Sequence, residues 1–290
     1  MAALRRLAVC GLAGAIAAGA WISAQQLPSE PPRQFGASIT GAFEGWFTSP
    51  DGSRSFLLGY FNRNTNQALD IPIGPDNRIE PGGPDLGQPT HFLPGRRWGM
   101  FVVPVPKNFT ATDRLIWTIT ANGQTNTIPL RLHPDYVISP FGEISVGNTP
   151  PVLQLSENGP STQGPIASIA GAPARTASVA TPLALTLWAA DDMKYTSGTG
   201  APQRNPPPPV RLVWSMFRGP GAVTFEPANP VVEKITGGRA AFSGKSAMTA
   251  RFSAPGEYVL HVTALDYSGE GGGGFQCCWS TAMVKVAVAP

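Results

Sequence analysis

Between Val210 and Asp266 apolar side chains recur at every second position. Leu212, Trp214 and Met216 share one face of a strand, and Arg211, Val213 and Ser215 share the other. Met248, Ala250 and Phe252 alternate with Thr249, Arg251 and Ser253, and Tyr258, Leu260, Val262 and Ala264 alternate with Val259, His261, Thr263 and Leu265. A period of two is the mark of half-buried strands, because successive side chains point to opposite faces of a sheet. The same parity sets His261 opposite Tyr258 and Leu260 and predicts that it lies on the surface. Gly219-Pro220-Gly221 and Pro255-Gly256 supply the turns, glycine through positive φ and proline through its fixed φ and missing donor. Leu183, Leu185 and Leu187 predict a partner strand, and Val284, Val286 and Val288 a closing one.

A tryptophan on one middle strand and a tyrosine opening another is the immunoglobulin-type arrangement. Leu260 stands two residues after Tyr258, where an antibody domain has its second cysteine, so apolar packing rather than an inter-sheet disulfide must hold these sheets. Several stretches carry a wider likeness: Asn148-Thr149-Pro150-Pro151-Val152, Leu212-Val213-Trp214-Ser215, Gly219 to Phe225, Phe252 to Leu260 and Ala282 to Val288. On these residues the C-terminal half resembles the PKD-type and related immunoglobulin-like modules of exported bacterial proteins. The resemblance implies a β-sandwich and is silent on activity, since such modules serve as spacers, adhesion units and carbohydrate-binding appendages.

The N-terminal half repeats the rhythm. Phe43, Gly45 and Phe47 alternate with Glu44 and Trp46, and Phe56, Leu58 and Tyr60 with Leu57, Gly59 and Phe61; Trp98 to Val105 reads as a further strand. Leu115, Trp117 and Ile119 lead into the hairpin signal Asn122-Gly123, and Ile128, Leu130 and Leu132 return. The long stretch Asn62 to Arg97, with Asn64-Thr65-Asn66, Asp70-Ile71-Pro72 and Pro81-Gly82-Gly83-Pro84, resembles exported bacterial proteins of unassigned function. With 290 residues, 33 Gly, 31 Pro and only 13% charged residues, the chain suits many short strands and has room for two domains. The predicted fold is all-β: two immunoglobulin-like β-sandwich domains in tandem after an N-terminal signal segment. The expected boundaries are 1–24 for a signal peptide, 25–34 for a mobile Pro-rich lead-in, 35–147 for the first sandwich and 148–290 for the second.

The signal reading rests on Arg5 and Arg6, the apolar run Leu7 to Ala20 and Ile22-Ser23-Ala24, which offers a small residue before the cut; an uncleaved membrane anchor is the rival. Ser156 to Thr181 reads as surface loop or a loose first strand, and Tyr195 to Pro209, with four consecutive prolines, as an extended insertion. The formal charge is +3; without Arg5 and Arg6 the Lys+Arg count falls from 21 to 19 against 18 acids, leaving +1. No basic face able to follow a nucleic-acid backbone is present.

Candidate sites are sparse. Asp70, Asp76, Asn77, Glu80 and Asp85 sit in a Gly/Pro-rich loop, and Asp191, Asp192 and Asp266 each close a strand. Hard cations such as calcium take several oxygen ligands on turn-rich backbone, so calcium is the one cofactor these carboxylates suggest; Asx and Gly as turn formers are the alternative. Cys277 and Cys278 are adjacent and read as a vicinal disulfide, an interchain pair or free thiols. His91, His133 and His261 are the only histidines, no Gly-x-Ser-x-Gly elbow accompanies them, and no enzyme activity is expected. Trp46, Tyr60, Phe61, Trp98 and Trp117 would bind sugars only if exposed; strand tryptophans are commonly core. These features together predict an exported, non-enzymatic binding or structural protein of the bacterial envelope, periplasmic or secreted, with Asn62 to Phe92 as its contact surface. Its expected partner is a protein or a polysaccharide, with no nucleic acid and with membrane contact only through an uncleaved leader. A carbohydrate-binding accessory module, and a metal or redox protein using the two cysteines, are the alternatives.

Overall fold

Alternation becomes strand along most of the chain. The computed structural model describes residues 30–143, 147–194, 208–268 and 277–290. The leader at 1–24, the start of the lead-in, most of the Pro-rich insertion and Gly271–Gly274 lie outside the described residues. The first half contributes β1 (Ile39–Thr48), β2 (Arg54–Asn62), β3 (Leu69–Asp70), β4 (Asn77–Glu80), β5 (His91–Phe92), β6 (Gly95–Pro104), β7 (Leu115–Ala121) and β8 (Gln124–Leu130). The second half contributes β9 (Val152–Gln154), β10 (Ser161–Gln163), β11 (Ala174–Ser178), β12 (Leu183–Asp191), β13 (Arg211–Arg218) and β14 (Val223–Glu226). It continues with β15 (Glu233–Lys234), β16 (Phe242–Phe252), β17 (Gly256–Leu265) and β18 (Trp279–Ala289). A single 3-10 turn, Pro134–Tyr136, is the one helical element among the described residues. The fold is all-β.

In the second half one sheet runs β10-β9-β12-β16-β14, with β15 also on β16, and the other runs β11-β18-β17-β13. Every pairing is antiparallel except β11 beside β18. Leu185, Leu187, Met248 and Phe252 of the first sheet pack against Leu212, Trp214, Tyr258, Leu260, Val284 and Val286 of the second. Full burial of such side chains stabilises by roughly 1.5–3 kcal/mol each, which makes a disulfide between the sheets unnecessary. The Tyr258 hydroxyl donates to the Ala254 carbonyl at 2.8 Å, tying β17 to the turn before it.

The other face of β17 and β18 is also covered. Phe217, Val259 and Met283 join Phe101, Trp117 and other first-half residues in one apolar cluster. Leu265 and Trp279 meet Phe47, Leu57 and Val102 in another. His261 is therefore completely buried and stacks on Phe217, with ring centroids 5.8 Å apart and planes 19° from parallel. This corrects the surface placement that parity predicts: the alternation is real, but both faces of β17 are interior here.

The first half forms sheets β1-β2-β6 and β4-β7-β8 and the small pair β3-β5. The first two meet so closely at Gly41 that an added Cβ would lie 2.7 Å from Trp117 and 2.9 Å from Ile128. A β-bulge between Phe43 and Gly45 shifts the register on β2. It sends Phe43 toward the cluster of Phe56 and Trp117 and Phe47 toward that of Trp279, so these two phenylalanines, expected on one face, lie on opposite faces. Residues Pro31–Pro290 form one compact unit. Arg33 at the end of the lead-in is tied down rather than mobile: its N–H donates to Arg63 O at 3.0 Å and its carbonyl accepts from Thr65 N at 2.7 Å. The Gly/Pro/Ser stretch before β12 is likewise structural, giving β10 and β11 and burying Ala167 and Ala172.

Candidate functional site

Two polar regions stand out. The first is the long segment between β2 and β6. Its polar side chains turn inward. Asn62 Nδ2 donates to the Gln67 and Phe92 carbonyls, each at 2.9 Å. Asn77 Nδ2 donates to Ile71 O and Pro89 O at 3.0 and 2.7 Å, while its Oδ1 accepts from Trp117 Nε1 at 3.1 Å. Gln88 Nε2 donates to Pro84 O at 2.6 Å. Amide side chains here take the place of a sheet ladder, satisfying backbone groups that irregular chain would otherwise bury unpaired. Arg218, at the end of β13, donates to both Asp85 oxygens and to Gln88 O, and so clamps this segment to the second half. Those bonds to the guanidinium hold the Asp85 carboxyl below the usual carboxylate range. Asp70 is exposed, and its Oδ1 accepts from His91 Nδ1 at 2.7 Å. Asp76 is exposed, and its carbonyl takes Thr120 N–H at 2.8 Å. Asp70, Asp76 and Asp85 are each engaged with different neighbours.

The second region lies at one end of the second-half sandwich, where three separate stretches converge. Asp191 closes β12, Asp266 follows β17, and Asn148-Thr149 leads toward β9. Asn148 Nδ2 donates to Asp266 Oδ2 at 2.6 Å, and Asp266 Oδ1 accepts from Ser268 N and Oγ at 2.7 and 2.5 Å. Asp192 Oδ2 caps Thr149, accepting from its N–H and Oγ1 at 3.1 and 2.9 Å, with Lys194 Nζ 3.8 Å away. Asp191 Oδ1 accepts from Met193 N at 2.8 Å. Asp191 Oδ2 and Asn148 Oδ1 are buried with no hydrogen-bond partner.

Burial drives the acids of this cluster up. Asp191 is pushed up to about 7, first by desolvation, against the Met193 N–H, with the Asp266 and Asp192 charges adding to the rise. Asp266 is raised by burial and by Asp192, and held back by Ser268 and Asn148. Cys277 and Cys278 are buried beside this cluster and carry their sulfurs as a vicinal disulfide; Cys278 Sγ lies 3.5 Å from the Asn148 carbonyl oxygen. The sequence placed Asp191, Asp192 and Asp266 at strand ends, but Asn148 read only as the entry to the second half and not as a partner of these acids. Its role follows only from the meeting of segments 118 residues apart.

The remaining singled-out residues are structural in their surroundings. His133 is partly exposed and caps the 3-10 turn, with its ring nitrogen accepting from Asp135 N. Trp117 and Tyr60 are core. Trp46 donates Nε1 to His133 O at 2.8 Å, Arg96 covers the Trp98 ring at 3.9 Å, and both indoles are half-buried. Among the described residues no tryptophan offers a fully open face to a sugar. No helix of the described residues is long and apolar enough to cross a membrane.

No protein-family model and no curated protein matches the chain. Among solved structures it is similar to domains 4 and 5 of the S-layer protein SbsC, at 10% identity over 88% of this chain and 98% of that one, with a TM-score of 0.22. A longer form of the same S-layer protein, rSbsC(31-844), matches at 10% identity over 87% of this chain and 28% of that one, with a TM-score of 0.23. Superposition this loose assigns no function.

Proposed function

We propose that the protein is an exported, non-enzymatic module of the bacterial cell envelope, built from two sandwich units at 35–147 and 148–290, the second immunoglobulin-like. It presents the outer rim of the segment between β2 and β6 to a protein or polysaccharide partner. The observation that carries this reading is the contrast within that segment. Asn62, Asn64, Asn77 and Gln88 are fully buried and lock its path, while Asp76, Glu80 and Pro81 to Asp85 stand in water. A loop of fixed shape on a rigid scaffold loses little entropy on binding, which is what a recognition surface needs. Adjacent cysteines joined to each other suit an oxidising compartment.

Deleting the whole segment would remove β4 and the buried Asn77, so the test substitutes only the rim. An Asp76→Lys/Glu80→Lys variant is expected to melt as the parent does and to lose the partners that the parent recovers from an envelope fraction. Recovery of the same partners by a normally folded variant would remove this surface from the reading.

A further inference from the structure

We propose that Asn148, Asp191 and Asp266 form a site for a hard divalent cation of the calcium class, bound through Asp191 Oδ2, Asn148 Oδ1 and a carboxylate oxygen of Asp266. Asp191 is 5% exposed and Asn148 1%, yet one oxygen of each lacks a hydrogen-bond partner. Both orphaned atoms are acceptors. A buried acceptor left unpaired costs about 1–3 kcal/mol, and each of these two oxygens calls for a donor or a cation. The Asn148 amide is fixed by its bond to Asp266 Oδ2, so its free oxygen belongs to the same cluster as that carboxylate.

The charge balance points the same way. Asp192 bonds both the N–H and the Oγ1 of Thr149, which sets their neighbours Asp191 and Asn148 on adjoining stretches of chain. Among the described residues the one cation bonded here, Lys194, sits 3.8 Å from Asp192 and donates to Gly147 O, with its side chain 53% exposed. Asp192 is committed to Thr149 and Lys194. Among the described residues no three His, Cys, Asp or Glu side chains gather in a metal-holding group. The ion would therefore have two carboxylates and one amide oxygen, with water and backbone carbonyls completing the six to eight oxygens that calcium takes. So few charged ligands set the affinity in the range of extracellular calcium modules, on the order of 10⁻⁴–10⁻³ M. The absence of imidazole among the donors, and the joining of both nearby sulfurs to each other, disfavour zinc and other softer ions.

The competing occupant is a proton on Asp191. Calorimetric titration with calcium chloride at pH 8, together with melting in calcium and in chelator, separates the two. With calcium at about ten times the dissociation constant the melting temperature is expected to rise by about 2–4 °C. Asp191→Asn keeps shape and removes one charged ligand; it should weaken calcium binding at least tenfold and abolish most of the shift. Asn148→Asp adds a carboxylate, and should lower the melting temperature in chelator and enlarge the calcium-dependent rise. Absence of both heat and shift in the parent protein, or an unchanged calcium response in Asp191→Asn, would overturn the site. So would an Asp191→Asn protein that is simply more stable with and without calcium, since that is the behaviour of a neutral acid.

Discussion

At the scale of single residues, His261 shows how burial on both faces converts parity into chemistry. Desolvation pulls it from 6.5 down to about 4, with the Arg97 charge assisting and the Met100 backbone opposing. That backbone is not placed for a well-formed bond, because neither ring nitrogen has a partner. A histidine whose folded value is depressed contributes stability that is complete above the unfolded value and is lost as pH falls toward the folded one. Between pH 6.5 and 4 this residue should therefore cost the fold up to about 3 kcal/mol. Denaturant titrations at pH 7 and pH 4.5 check it: the drop in stability should be smaller in His261→Gln than in the parent. Gly99 presents a steric limit. Its φ is +46°, and an added Cβ would lie 2.6 Å from the Trp279 ring. Gly99→Ala is expected to destabilise by about 1–3 kcal/mol in the same assay, through left-handed backbone and overpacking together.

At the scale of elements, the alternation made β12, β13, β16, β17 and β18 legible, together with Trp214 and Tyr258 as core, because a period of two survives wherever a ladder is regular. It failed where register breaks. The bulge at Glu44 separates Phe43 from Phe47, and no residue-level rule announces it. The short strands β9, β10 and β11 hide in Gly/Pro/Ser text because their neighbours, not their own side chains, make them strands. Of the acidic cluster, the sequence offered three carboxylates at strand ends but not the amide bonded to Asp266. The segment between β2 and β6 read as polar loop; its inward amides became visible only once Phe92, Pro89 and Ile71 carbonyls were placed around them. Arg218 is the clamp on that segment, and Arg218→Ala should cost about 1–2 kcal/mol, chiefly through the partly buried bonds to Gln88 O. Limited proteolysis should then cut more readily near Gly82-Gly83, while the second-half core keeps its protection.

At the scale of the molecule, β17 and the first part of β18 are interior on both sides, and Trp279 is the side chain that depends most on that fact. It fills the space bounded by Leu265, Phe47, Leu57 and Val102 with no solvent contact. Trp279→Ala should cost about 3–5 kcal/mol. Because the cavity would be walled by both halves, hydrogen exchange should quicken in β2 and in β17 together; quickening confined to β17 would show that the halves are energetically separate. Long-range pairing of this kind slows folding, since distant segments must close before their contacts reward them. The consequence falls on biosynthesis. Among the described strands β18 comes last in sequence and yet lies between β17 and β11 in its sheet. A nascent chain still short of Trp279 has β17 bare along one edge and the first-half core lacking Met283, so the greasy interior stays open to water and to chaperones until that eleven-residue strand arrives.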